Sequence, residues 1–98
     1  ILVLNNGMYG TIRMHQEREY PTHVSGSQLK NPDFTALAQA YGYVGVRMHQ
    51  TAQFEALLLD ALNRPEGTLI EVLLDPEVIT TRGTLQAITQ AALAKKMV

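Results

Sequence analysis

Ile1-Leu2-Val3-Leu4 is an apolar run broken at once by Asn5-Asn6-Gly7. Four apolar residues closed by turn-forming ones read as a short buried strand. A strand buried on both faces needs neighbours on both edges. The opening therefore predicts a parallel sheet, and it predicts that Ile1 continues a longer chain.

The remaining pattern alternates in the same sense. Tyr9 to Gln16 suits a short helix, and Glu17 to Lys30 reads as an exposed loop. Asn31-Pro32-Asp33 suits a helix start, with Asn31 as cap, Pro32 at the first helical position and Asp33 complementing the dipole. Phe34, Leu37, Ala38 and Tyr41 then share one face, and Gly42 is placed to end the helix. Tyr43 to Met48 reads as a second strand with Val44 and Val46 on one face. Thr51 is a candidate cap for a helix carrying Phe54, Leu57, Leu58, Ala61 and Leu62. Thr68 to Leu74 reads as a third strand, ended by Asp75-Pro76, and Glu77 to Gly83 as irregular. Thr84 to Lys96 suits a terminal helix with Leu85, Ile88 and Ala92 inward and Lys95 and Lys96 at its negative end. Strand, helix, strand, helix, strand implies crossover connections: an α/β fold with three parallel strands. Three such strands are few for an independent domain, which again suggests part of a larger one.

Composition removes several function classes. The 98 residues contain no cysteine, which excludes disulfides, thiolate metal sites and cysteine nucleophiles. A net charge of −1 with 17% charged residues leaves no electrostatic footprint for nucleic acid. No apolar run approaches the roughly 20 residues of a membrane span. No signal peptide is visible, so the expected compartment is the cytoplasm.

Ligands of open parallel sheets bind outside the carboxyl ends of the strands. Asn5-Asn6-Gly7-Met8-Tyr9-Gly10 follows the first strand and lies in that place. Asparagine and backbone oxygens suit a hard cation such as magnesium, and the following helix start favours an anion such as phosphate. Asn-Asn-Gly is also a common turn, and the local chemistry alone favours a plain turn over a ligand site. His15, His23 and His49 lack metal-ligand spacing and read as surface residues. The mixed-sign run Arg13 to Glu19 suits a solvated helix face better than an anion grip. Thr80, Thr81 and Arg82 suit a polar connector or a contact with substrate.

Leu2-Val3-Leu4-Asn5-Asn6-Gly7-Met8-Tyr9-Gly10, with Asn31-Pro32-Asp33-Phe34, Leu37-Ala38-Gln39-Ala40-Tyr41-Gly42 and Gly67-Thr68-Leu69-Ile70-Glu71-Val72, resembles the thiamine diphosphate-dependent enzymes of the acetolactate synthase and benzoylformate decarboxylase type. The resemblance falls in the last part of their cofactor-binding domain. It implies one fragment over residues 1–98, with a matched core at 1–78 and a C-terminal connector and helix at 79–98. The implied fold is a parallel-sheet, three-layer thiamine diphosphate-binding fold with crossover helices.

By the same resemblance, a family motif begins Gly-Asp-Gly and ends Asn-Asn. Its last asparagine and the residue two places on hold magnesium, which bridges to the cofactor's diphosphate. Carried over, Asn6 is a side-chain metal ligand and Met8 gives a backbone carbonyl. Gly7, Tyr9 and Gly10 lie beside the diphosphate, and Asn5 braces the turn. The motif's first half would precede Ile1. The glutamate that activates the aminopyrimidine belongs to another domain, usually of a partner subunit. The chain alone is therefore expected to be inactive. Acetolactate synthases usually carry a tryptophan on the helix after the motif; His15 takes that position, in the substrate region. The implied whole is a homodimer or homotetramer acting on a small 2-oxo acid by decarboxylation, carboligation or both. A non-catalytic α/β interaction or regulatory module is the alternative, and a small nucleotide-binding domain of flavodoxin-like type is a third.

Overall fold

The computed structural model describes residues 1–97. The chain divides into two compact units, Ile1–Asn5 with Asn31–Leu73, and Asn6–Lys30 with residues 74 to 97.

The first unit is the sheet. β1 (Leu2–Asn5), β2 (Val44–Met48) and β3 (Thr68–Leu73) form three parallel strands in the order β1-β3-β2. The expected parallel α/β arrangement is present. Leu2 pairs with Ile70, and Ile70 in turn with Val46. The last strand in sequence is thus the central one, with four consecutive buried residues, Leu69 to Val72. Ile70, only 1% exposed, forms the core with Met48 and Val72, and Phe54, Leu57 and Ala61 of α3 (Phe54–Leu62) pack against it. The burial expected at the first strand is found at β3 instead. β1 lies on an edge, and Leu4 is 67% exposed.

Helix α2 (Phe34–Ala40) starts two residues later than its sequence signal suggests. Asp33, not Asn31, is the cap: its carboxylate accepts from the Thr35 and Ala36 N–H groups at 3.1 and 3.2 Å. The Thr35 hydroxyl, the Ala36 N–H and the nearby Arg47 guanidinium together hold the Asp33 carboxyl below its ordinary value. Ala38 is the buried member of the expected face, while Leu37 and Tyr41 are exposed. Gly42 follows the helix with φ +79°, a left-handed stop that suits glycine. Thr51 opens a short 3-10 turn (Thr51–Gln53) rather than capping α3, and the Gln53 side-chain oxygen accepts from the His49 and Gln50 N–H groups.

The second unit holds α1 (Gly10–Glu19), a hairpin of β4 (Val78–Thr80) and β5 (Gly83–Thr84), and α4 (Leu85–Lys96). The expected irregular stretch at 77–83 is therefore mostly hairpin. The Thr84 hydroxyl caps α4 through the Ala87 N–H, and Leu85 and Ala92 are buried as their spacing predicts. α1 runs one turn further than expected, because Glu17 is an internal anchor and not part of a solvated face. It is 6% exposed, bonded by Arg13 at 2.9 Å and by the Thr89 hydroxyl at 2.6 Å.

Candidate functional site

The candidate site is the turn from Asn6 to Gly10, which leads into α1. Its two asparagines belong to different units. In the sheet unit, Asn5 donates from its amide to Glu71 at 3.3 Å, and its side-chain oxygen accepts from Asn31 at 3.0 Å. Glu71 is 3% exposed and also accepts from Arg47, which reaches Asp33. This network ties the end of β1 to the approach to α2. Asn5 is thus engaged as a brace.

In the second unit, the Asn6 side-chain oxygen accepts from the Met8 backbone N–H at 3.2 Å. This bond closes the turn over Gly7, whose φ of +73° suits a residue without Cβ. The 27–29 segment backs the turn. Tyr9 N–H donates to the Ser27 carbonyl at 2.8 Å, and Leu29 N–H donates to the Gly7 carbonyl at 2.9 Å. Met8 bridges to Gln28 between them. The ladder uses the carbonyls of Gly7 and Ser27 and not that of Met8. Gly10 has a steric reason to be glycine, because a Cβ there would meet the Asn6 amide and the Ile79 side chain at 2.9 Å.

Tyr9 occupies the N-cap of α1 and is about half exposed. No side chain caps this helix, and its first turn holds no acidic residue. The amino end of a ten-residue helix in that condition favours an anion. Among the described residues, no group of three or more His, Asp or Glu side chains could hold a metal. The oxygens that the turn offers are neutral, from asparagine and backbone. Such donors fit magnesium shared with a diphosphate, as one part of a six-oxygen shell. A further observation fits a bound group: the Ser27 hydroxyl, 1% exposed and next to the ladder, has no hydrogen-bond partner.

His15 lies on the exposed side of α1. His23 is held by the Pro21 carbonyl and the Thr22 hydroxyl, and His49 is exposed at the end of β2. Arg13, weighed as an anion grip, is spent on Glu17. Burial works to raise the Glu17 carboxyl, but the Thr89 hydroxyl and the Arg13 guanidinium outweigh it and hold the group below its ordinary value. Sequence reasoning missed Ser27 and Thr89. Ser27 sits in a stretch without apolar periodicity, and Thr89, though on the periodic helix α4, gains its Glu17 partner only through tertiary placement.

This turn, set after a parallel strand and before an uncapped helix, belongs to a known class of cofactor domain. Residues 1–72 match the family described as "Thiamine pyrophosphate enzyme, C-terminal TPP binding domain", and the chain belongs to that family. Among individual proteins, it is 35% identical over 74 residues to "Acetolactate synthase large subunit" of Parasynechococcus marenigrum, covering 74% of this chain and 12% of the relative. It is 33% identical over 78 residues to "Acetolactate synthase catalytic subunit, mitochondrial" of Saccharomyces cerevisiae, covering 80% of this chain and 11% of the relative. It is 34% identical over 65 residues to "Acetolactate synthase isozyme 3 large subunit" of Escherichia coli, covering 65% and 11%. The chain therefore spans about an eighth or less of the length of these relatives. No helix among the described residues is long and apolar enough to cross a membrane.

Proposed function

We propose that this chain contributes the magnesium–diphosphate anchor of a thiamine diphosphate-dependent enzyme acting on a small 2-oxo acid, of the acetolactate synthase kind. The observation that carries the reading is the Asn6 side-chain oxygen, fixed by the Met8 N–H at the mouth of an uncapped helix. Asn6 offers that oxygen to the metal, and Met8 offers its backbone carbonyl. Gly7 and Gly10 keep side chains out of the space beside the diphosphate. Tyr9 borders it, and the N–H groups at the start of α1 face its charge. When bound, the cofactor supplies a carbanion nucleophile and an electron sink for decarboxylation or carboligation. His15, one turn and a half along α1, lies on the substrate side. Homodimeric or homotetrameric assembly in the cytoplasm belongs to the same reading. The division into a matched core at 1–78 and a connector with helix at 79–98 is kept as part of this proposal.

The test is titration of the protein with thiamine diphosphate at fixed magnesium. Asn6→Ala is expected to weaken magnesium-dependent binding by roughly tenfold or more, the scale of one lost polar ligand. Met8→Leu is expected to leave affinity nearly unchanged, because only its backbone is used. Unchanged affinity in Asn6→Ala would remove the assignment.

A further inference from the structure

The second unit contains a cavity that the cofactor reading does not use. Its volume is about 470 Å³, and it opens among α1, the β4–β5 hairpin and α4. That is within the roughly 300–1,000 Å³ of small-molecule sites. Met14, Ile88 and Ala91 contribute apolar wall. Arg18, Arg82 and Lys95 contribute three cationic side chains, and no carboxylate lines the cavity. The three ion pairs among the described residues involve Arg13 and Arg47 alone, so none of the cavity's cations is neutralised in this way.

Helix electrostatics accounts for two of them. Arg18 and Lys95 each lie in the last turn of a helix, where a positive charge is favoured. It does not account for Arg82. That residue stands in the turn between β4 and β5, where its N–H donates to the Thr80 hydroxyl at 3.2 Å. All three residues are exposed, so solvent screens their mutual repulsion, and together they give the apolar pocket a positive rim that favours an anion.

We propose that this cavity binds a small organic anion, a carboxylate or phosphate monoester with a short aliphatic body. The head group is held by Arg18, Arg82 and Lys95. The aliphatic body lies against Met14, Ile88 and Ala91. A purely inorganic anion makes no use of the apolar wall, and a neutral aliphatic molecule makes no use of the cations. Arginine suits either head group, since both present paired oxygens.

The experiment is calorimetric titration of the protein with thiamine diphosphate and magnesium at saturation, so that the anchor turn is not the site titrated. The probes are hexanoate, hexyl phosphate, hexanol and inorganic phosphate. Hexanoate or hexyl phosphate is expected to bind, and the stronger of the two identifies the head group. Hexanol and inorganic phosphate are expected to bind roughly tenfold more weakly or not at all, and Arg82→Gln or Lys95→Gln to weaken the anion by roughly tenfold, the scale of one charge-assisted contact. Circular dichroism and melting of each variant check that it is folded. Hexanol binding as well as hexanoate, or affinity unchanged in both variants, overturns the proposal. No binding by either amphipathic anion overturns it as well, including the case in which another segment of the protein fills the cavity. Thiamine diphosphate affinity is read separately, so failure of the anchor turn does not imitate failure here.

Discussion

Asn5 and Asn6 are the same residue, one peptide bond apart, and the structure separates them by their partners. Asn5 exchanges hydrogen bonds with Glu71 and Asn31, so both ends of its amide are in use. The Asn6 oxygen accepts from the Met8 backbone N–H. Sequence alone marks the pair as polar oxygens after a strand; the tertiary partners assign Asn5 to the sheet network and Asn6 to the turn. Glu17 makes the same point about charge. Its carboxyl is held below its ordinary value, so it contributes stability that is fully present above the unfolded-state value near 4.5. That contribution is lost as pH falls through the lowered folded value. Thr89→Val removes the 2.6 Å hydroxyl bond to the ionised group. The variant is expected to be less stable by about 1 kcal/mol at neutral pH. The gap to the parent should narrow as the pH falls below 4.5, which denaturant unfolding at several pH values measures.

At the scale of elements, α2 and β2 meet in close backbone contact at Gly45. A Cβ on Gly45 would lie 2.5 Å from the Thr35 carbonyl oxygen and 2.8 Å from its Cα. Both are backbone atoms and cannot swing aside. Gly45→Ala is therefore expected to push α2 off the sheet and destabilise the protein by about 1–3 kcal/mol. A fall in the urea midpoint with unchanged slope would show it, and an unchanged midpoint would mean that the helix yields freely. Elements with periodic apolar residues were legible in the sequence: α3 and α4 from their spacing, β3 from its unbroken run. The hairpin at 78–84 was not, because its strands are only three and two residues long and irregular in register between Val78 and Thr80. Nor was the length of α1. Glu17 looks like a solvent residue until Arg13 and Thr89 enclose it. The cap of α2 was misread because Asn31 and Asp33 are both good caps, and the choice is made by Arg47 and Thr35 around Asp33. The position of the candidate turn was legible, since a polar break after a first parallel strand falls where such sheets bind ligands. Its backing by Ser27 and Leu29 was not.

At the scale of the whole molecule, a site built from a turn has a thermodynamic signature. The turn from Asn6 to Gly10 is held by the side-chain bond of Asn6 to the Met8 N–H and by backbone bonds to the 27–29 segment. A ligand that binds only this folded arrangement stabilises the protein by mass action, by about 2.7 kcal/mol at a hundred times its Kd. Thiamine diphosphate with magnesium is therefore expected to raise Tm, and a chelator to remove the rise while leaving the apo Tm unchanged. Hydrogen exchange should localise the effect. The amides of Met8, Tyr9 and Leu29, which make those bonds, should gain protection with the ligand. The amide of Ile70, in the middle of the three-stranded sheet, should change only as far as global unfolding becomes rarer. In Asn6→Ala, with binding about tenfold weaker, the stabilisation at the same ligand concentration should fall to about 1.4 kcal/mol, and the local protection should fall with it. A rise in Tm that is undiminished in Asn6→Ala would locate the anchor elsewhere in the protein, because linkage reports every site that prefers the folded state.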